Sequence, residues 1–166
     1  MTDRLALRAV RPSDDAFLRE ALYHAIHVPP GALPPPRSIV QHPDIAHYLP
    51  EWTTEADGLG TLAEWDGRPV AAAWLRVWTG TSRGYGFVAR DIPELTMAVL
   101  PGHQGHGIGT ALLRRVLDDA EAVAPGVSLS VSLTNPARRL YEREGFERVG
   151  DADAGGSITM VHSFAG

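Results

Sequence analysis

Gly105, Gly107 and Gly109 occupy alternate positions directly before a segment with helical apolar spacing. A predicted strand precedes them, so the free amides and the positive end of the following helix would point at the turn between strand and helix. Glycine also allows an anion to come close to the backbone. The stretch 104–110 therefore predicts a phosphate site, and a glycine-rich helix start needed only for packing stays open as the alternative.

Two common phosphate-binding patterns do not fit these glycines. A dinucleotide fingerprint has the spacing GxGxxG, and here the third glycine comes one position early. That fingerprint also follows the first strand of a βαβ unit, whereas several predicted strands precede this turn. The phosphate loop of nucleotide hydrolases needs a lysine before its Ser or Thr, and Gly109 stands before Thr110.

Two successive segments resemble motifs of the GNAT N-acetyltransferase superfamily. Gln104, Gly107 and Gly109 match its central motif Gln/Arg-x-x-Gly-x-Gly/Ala, and residues 135–146 are similar to the next motif, with asparagine, alanine, Leu-Tyr and Gly-Phe in order. Residues 7–14 resemble the first strand and helix start of the family, while residues 28–60 match nothing diagnostic. The resemblance implies acetyl-CoA as cosubstrate, its pyrophosphate lying on Gln104, Gly105, His106, Gly107, Ile108, Gly109 and Thr110.

The resemblance also implies where the rest of the cofactor would bind. In the family the fourth and fifth strands part early, and the exposed main chain, here at Met97, Ala98 and Val99, pairs with the pantetheine arm and polarises the thioester carbonyl. Asn135 is expected both to cap its helix and to bind the arm, and Arg138 is a further expected cofactor contact. Family members often carry arginine or lysine beside the glycines. Here His103 and His106 stand there, which predicts tighter cofactor binding as the pH falls.

Acyl transfer to an amine needs a neutral amine and a proton for the departing thiolate. By resemblance Tyr141 is the general acid, with packing of its ring on the sheet as the alternative. Glu94 is the predicted base, acting through water, or the anchor of a cationic substrate; a solvated carboxylate after Pro93 is the alternative, and Glu64 is the second choice. Ser128, with the two serines that alternate after it, could allow close approach of the cofactor arm or could form a polar strand face.

The acceptor is expected to bind where family members vary, at the proline-rich loop and short helix of residues 28–50. His24 and His27 have a spacing that can bind metal, but a third ligand is missing, so no metal site is predicted. Five large aromatic side chains are predicted to form core, some of them lining an acceptor pocket: Tyr48, Trp52, Trp65, Trp74 and Trp78.

The apolar periodicity predicts the elements that must position these groups, in the order β-α-(α)-β-β-β-α-β-α-β-β. Two examples are a hairpin of residues 62–78 around an Asp66-Gly67 turn, and a short helix of residues 39–48 bent at His42-Pro43. The predicted fold class is α/β (α+β), a single GNAT-like domain over residues 1–166. Its twisted sheet would be mixed but mostly antiparallel, with six to seven strands and about four flanking helices.

The composition excludes several functions. The 166 residues are 44% hydrophobic and 21% charged with a net charge of −5, so no general attraction to nucleic acid or an anionic membrane is expected. The absence of cysteine excludes disulfides and a thiol nucleophile and fits a cytoplasmic location. The chain is thus predicted to transfer an acetyl group from acetyl-CoA to the primary amine of a small molecule or peptide, in a ternary complex. A non-catalytic acyl-CoA-binding module is the alternative, and a homodimer is a further expectation from the family.

Overall fold

The structure, a computed structural model, describes residues 4–50 and 59–164. Its seven strands are β1 (Leu5–Ala9), β2 (Gly60–Trp65), β3 (Arg68–Arg76), β4 (Glu94–Val99), β5 (Gly126–Ser132), β6 (Glu147–Val149) and β7 (Ser157–Ser163). The helices are α1 (Asp15–Ala25), α2 (Pro43–Ala46), α3 (Ile108–Glu121) and α4 (Ala137–Arg143), with 3-10 turns at Pro12–Asp14 and Arg37–Gln41. The predicted order of elements and the α/β class are confirmed.

All strands lie in one sheet of order β1-β2-β3-β4-β5-β7-β6. Every neighbouring pair is antiparallel except β4 and β5, which are parallel. The sheet is therefore mixed and mostly antiparallel, as predicted, and its single parallel junction lies in the middle.

The β2–β3 hairpin turns through Asp66 and Gly67, whose φ angles of 52° and 83° are both positive. Such angles match the right-handed twist of a two-residue hairpin, which explains the Asp-Gly sequence. The second strand ends at Arg76, two residues earlier than the predicted end at Trp78. Arg76 pairs with Glu94, the first residue of β4, and Pro93 before it offers no amide to extend the ladder.

Both faces of the sheet are covered, and each carries its own core. The apolar side of α3 packs with α4 on one face, through residues such as Leu112, Val116 and Leu129. On the other face α1 and α2 pack over the sheet with Leu18, Trp74 and related residues. Side chains that alternate along β4 and β5 therefore reach two separate interiors.

Residues 37–46 form a 3-10 turn followed by the short helix α2, instead of the one helix predicted over residues 39–48. The break lies at His42, whose extended backbone (φ −65°, ψ 135°) is the conformation that a residue before proline favours. The bend predicted at His42-Pro43 is thus confirmed. Within the described residues, no helix is both long and apolar enough to cross a membrane.

Candidate active site

The two central strands part immediately after they meet. β4 pairs with β3 from Glu94 to Val99, but its only register pair with β5 is Glu94 with Ser128, next to a hydrogen bond from the Ser128 amide to the Pro93 carbonyl (2.9 Å). A gap opens beyond this point between the carboxyl-terminal halves of the strands. The predicted parting of the fourth and fifth strands is present at the predicted place.

Alternation along β4 decides which main-chain groups face the gap. The Leu100 amide donates to Val70 on the β3 side (2.8 Å). In an antiparallel ladder the neighbouring residues alternate, so Val99 and Met97 direct their N–H and C=O groups toward β5. Ala98 directs its main-chain groups at β3, which narrows the predicted set of exposed backbone to Met97 and Val99.

The free edge of β4 leads into the glycine turn before α3. Gly105 and Gly107 have φ angles of 83° and 76°, and nothing lies within 4 Å of the position where a Cβ would be. Gly107 is the N-cap residue of α3 and no side chain caps this end. The amides of the first helical turn therefore lack intrahelical partners and are available to an anion.

The other residues of the turn take different roles. Ile108 is only 1% exposed, so its side chain is in the core and only its main-chain amide is available to an anion. A Cβ on Gly109 would lie 3.3 Å from Leu140 Cδ2, which makes this glycine a packing contact between α3 and α4. Gln104 Nε2 donates to the Val99 carbonyl (3.3 Å) and ties the turn to the end of β4. Thr110 is half-buried in the first turn of α3.

His106, which stands where the family often has a cation, turns toward the sheet. Its ring lies 5.2 Å from the ring of Trp65 at the end of β2. His103 is half-buried, and its amide donates to the Leu100 carbonyl (3.2 Å). The pH dependence expected from these histidines stays a prediction.

Asn135 and Arg138 lie at the start of α4. Asn135 Oδ1 accepts a hydrogen bond from the Ala137 amide (2.9 Å), so it satisfies an amide at the helix start as predicted, although the N-cap position itself is held by Pro136, one residue later than predicted. Arg138 Nε lies 3.5 Å from Glu142 Oε1 one turn later, with its side chain 36% exposed. The cofactor contacts of both residues remain predictions.

Tyr141 projects from α4 into the core shared by α3 and β5. It is 7% exposed, and its ring meets Phe146 edge to face at 5.7 Å. Burial raises its pKa to about 12, so the phenol keeps its proton throughout the neutral range. The Tyr141 ring packs in the core, as the alternative of a packing role predicted. Its hydroxyl makes no hydrogen bond with the described part of the chain.

Glu94 is fully enclosed at the point where β4 and β5 part, with 1% of the residue exposed. Its Oε2 accepts from the Tyr48 hydroxyl (2.9 Å) and its Oε1 accepts from Trp78 Nε1 (3.0 Å). Burial raises the pKa of Glu94 to about 6, against the lowering effects of Tyr48, the Gly86 amide and Trp78. The alternative of a solvated carboxylate is therefore wrong.

A segment that sequence reasoning missed closes this pocket. We call residues 84–86 the covering segment. A Cβ on Gly84 would lie 2.1 Å from Glu94 Oε1, and a Cβ on Gly86 would lie 2.5 Å from the Leu129 carbonyl carbon. The segment thus fits between Glu94 and β5 because both glycines lack side chains. The Gly-x-Gly spacing before β4 was the available signal.

The remaining candidates lie elsewhere or are already paired. Glu64 Oε2 lies 3.7 Å from Arg8 Nε, beside the Arg8–Asp14 ion pair. His24 hydrogen-bonds to Glu20 (3.0 Å) and His27 to Thr134 (2.8 Å). In the ranges 4–50 and 59–164 no cluster of three metal-ligating residues occurs.

The predicted aromatic core is largely confirmed. Trp74, Trp78 and Tyr48 are buried, and Trp65 is half-buried at the edge of the core on the other face. Trp52 lies outside the described residues. Tyr48 and Trp78 acquire a further role that was not predicted, as donors to Glu94.

Comparison with known proteins agrees with this geometry. The model of the Acetyltransferase (GNAT) family matches residues 21–146. YncA from Salmonella typhimurium, solved with its cofactor acetyl-CoA, is 22% identical, with 97% of this chain and 94% of that chain covered at a TM-score of 0.69. The ribosomal-protein-S18-alanine N-acetyltransferase of Escherichia coli is also 22% identical, with 98% and 96% covered at a TM-score of 0.61.

A GNAT family acetyltransferase from Brucella melitensis in complex with acetyl-CoA is 24% identical, with 98% of this chain and 89% of that chain covered at a TM-score of 0.58. A search of curated proteins gives no significant match. The likeness to the solved structures shows the fold, and the family match spans the parted strands, the glycine turn and α4. The chain therefore belongs to the GNAT family of acetyltransferases.

Proposed function

We propose that this acetyltransferase transfers the acetyl group of acetyl-CoA to a primary amine, with both substrates bound together and without a covalent enzyme intermediate. One observation carries the proposal: the edge of β4 that is free of β5 runs directly into the open glycine turn of α3. Such an edge and such a turn suit an extended amide-bearing arm that ends in a pyrophosphate. Acetyl-CoA, when bound, supplies the activated acetyl thioester.

The residues present fit this cosubstrate. The amides of residues 108–110 and the open space at Gly105 and Gly107 would hold the pyrophosphate. The main chain of Met97 and Val99 would pair with the arm, and Gln104 fixes the turn relative to that edge. Asn135 and Arg138 approach from the start of α4. These backbone donors would also orient the thioester carbonyl.

Glu94 is the proposed base. Its pKa of about 6 leaves it ionised at neutral pH, as an acceptor of an amine proton must be. Because only 1% of Glu94 is exposed, the acceptor amine would not contact the carboxylate directly. This favours proton transfer through water over a role as substrate anchor. Ser128 Oγ of β5 is buried on the same face of the sheet as Glu94 and has no partner among the described residues, so it would hold that water.

Tyr141, the predicted general acid, is the proposed hydrogen-bond donor to the departing thiolate. A phenol with a pKa of about 12 remains protonated at every working pH. It is a weak acid toward a thiolate, whose conjugate acid has a pKa of roughly 8.5. Hydrogen-bond donation from Tyr141 Oη to the sulfur is therefore the contribution that the site supports best.

The acceptor would approach over α1 and residues 28–50, since these cover the face that carries Glu94. The Escherichia coli relative is named for a protein alanine acceptor. For this chain we propose a small-molecule or peptide amine, with no metal, nucleic acid or membrane involved. A cytoplasmic location, and a homodimer through β6 and β7, complete the proposal.

A thiol-release assay tests this function. The protein is incubated with acetyl-CoA and a panel of amines, and free CoA is followed with a thiol reagent while mass spectrometry detects the acetylated amine. We expect release that depends on the amine and matches product formation. Binding of acetyl-CoA without release for any amine in a panel of small amines and peptides would favour the non-catalytic module instead.

A further inference from the structure

Two side chains from different parts of the chain donate to the carboxylate of Glu94. The Tyr48 hydroxyl follows α2 and donates to Oε2, while Trp78 Nε1 follows β3 and donates to Oε1. Each oxygen of a carboxylate that has lost its contact with water therefore has a donor. These two hydrogen bonds favour the charged form of Glu94, against the effect of burial.

Tyr48 differs from Trp78 because its hydroxyl takes part in a second hydrogen bond. The Tyr85 amide donates to Tyr48 Oη at 2.6 Å, while the same oxygen donates to Glu94 Oε2 at 2.9 Å. One atom therefore links the carboxylate to the covering segment. Loss of this oxygen would remove one hydrogen bond from each of them at once.

The position of Tyr48 is fixed independently of Glu94. Trp74 Nε1 donates to the Tyr48 carbonyl (2.6 Å), and the Tyr48 ring meets the Trp78 ring edge to face at 5.2 Å. The Tyr85 ring stacks on the outer side at 6.4 Å. With 8% of the residue exposed, Tyr48 is held by packing on several sides.

Other charged and titratable groups stand on the elements around Glu94. Arg76 of β3 is its register partner and donates through Nε to the His47 carbonyl (3.0 Å). The His47 ring lies 4.6 Å from the Trp78 ring, and burial lowers the pKa of His47. On the β5 side, Glu94 pairs with Ser128, which is uncharged. None of these groups bonds to the Tyr48 hydroxyl in the described structure.

We propose that Tyr48 is a positioning residue for Glu94, whose single hydroxyl fixes both the carboxylate and the covering segment that closes over it. Its consequence for catalysis rests on the proposed role of Glu94 as base. The positioning itself is argued from the two hydrogen bonds of Tyr48 Oη alone. Tyr48 acts through Glu94 and does not itself touch the reacting atoms.

The test uses Tyr48→Phe, which removes one oxygen and keeps the ring packing. Carboxyl resonances of protein labelled with ¹³C-glutamate are titrated by NMR, and Glu94→Gln assigns the Glu94 signal. We expect the Glu94 midpoint to move upward by about one pH unit in Tyr48→Phe, since a hydrogen bond to a charged group is lost. Tyr85→Phe keeps the Tyr85 amide and should leave the midpoint unchanged.

A second measurement does not depend on titration. Hydrogen exchange of the Tyr85 amide should accelerate in Tyr48→Phe by at least tenfold, because its acceptor is gone, while thermal unfolding checks that the variant is folded. An unchanged Glu94 midpoint together with unchanged exchange would overturn the proposal. A folded variant with unchanged exchange alone would overturn the link to the covering segment.

The rate profile separates this inference from the proposed function. If Glu94 is the base, the acid side of the kcat/KM profile should move upward in Tyr48→Phe by the same amount as the NMR midpoint. A moved midpoint with an unmoved rate profile would support the positioning role and remove Glu94 from the mechanism.

Discussion

Gly84 lies so close to Glu94 that a Cβ on the glycine would fall 2.1 Å from the carboxylate Oε1. The same Cβ would meet Trp78 Cζ2 at 2.6 Å and Tyr48 Oη at 2.7 Å, the two side chains that donate to Glu94. The missing side chain at this position is what allows the chain to close over a buried charge. Closure in turn accounts for the raised pKa of Glu94.

Gly84→Ala should therefore open this pocket. Its methyl group has no space, so either the covering segment moves or the donors to Glu94 are displaced, and the free energy of unfolding should fall by about 2 kcal/mol. Gly155→Ala is the matched control, because a Cβ there meets only Asp153 Oδ1 at 3.4 Å. Chemical denaturation measures both. Equal stability of the two variants would contradict the close fit described at Gly84.

Glu94→Gln should abolish the acid side of the rate profile. The proposed base acts when ionised, so wild-type kcat/KM should fall as the pH drops through about 6, the pKa of the buried carboxyl. Glutamine does not titrate, and its rate should be at least ~100-fold lower at neutral pH. The test is to measure kcat/KM of both proteins between pH 5 and 8. A wild-type profile that is flat across pH 6 would count against Glu94 as base.

The glycine turn, the parted strands and the hydrogen bond of Asn135 at the start of α4 were predictable because each depends on local sequence or on motifs of the resembled family. The enclosure of Glu94 was not, because it joins Tyr48, Trp78 and the covering segment across up to 46 positions. Strand alternation groups Glu94 with Thr96 and Ala98 on one face of β4, but it carries no information on which other parts of the chain cover that face. Periodicity reveals which side of an element is buried, whereas the partner comes from tertiary packing.

Tyr141→Phe separates hydrogen-bond donation to the thiolate from packing. The ring and its contact with Phe146 are kept and only the hydroxyl is lost, so stability should change little while kcat falls by ~100-fold. Because the pKa of Tyr141 is about 12, its hydroxyl adds no basic side to the wild-type profile below pH 10. Turnover rates that match those of wild type at every pH would leave Tyr141 with a packing role alone.

Asp14→Asn should reduce stability without touching the active site. Asp14 accepts two hydrogen bonds from Arg8 (2.8 Å each) and one from the Arg11 amide (2.8 Å). The Arg8 bond lowers the pKa of Asp14 below its ordinary value of 3.8, so its contribution is present above that value and is lost as the pH falls further. We expect a loss of about 2 kcal/mol at pH 7.

Asp15→Asn is the control for this ion pair. Asp15 bonds to Arg19 one turn later, but the two side chains are 46% and 50% exposed, so water screens the pair. Its loss should change the free energy of unfolding by less than ~0.5 kcal/mol. Denaturation at pH 7 and at pH 3 compares the variants, and the difference between Asp14→Asn and wild type should shrink at the lower pH.

Gly107→Ala and Gly102→Ala separate backbone strain from cofactor binding. Both glycines have left-handed φ angles, 76° and 90°, and neither has an atom within 4 Å of its Cβ position. Each alanine should therefore cost about 1 kcal/mol of stability through strain. Of these two glycines, only Gly107 caps α3, where the amides of the first helical turn would face the pyrophosphate.

Isothermal titration should show CoA binding at least ~10-fold weaker in Gly107→Ala and nearly unchanged in Gly102→Ala. Equal affinities in the two variants would place the pyrophosphate away from the start of α3.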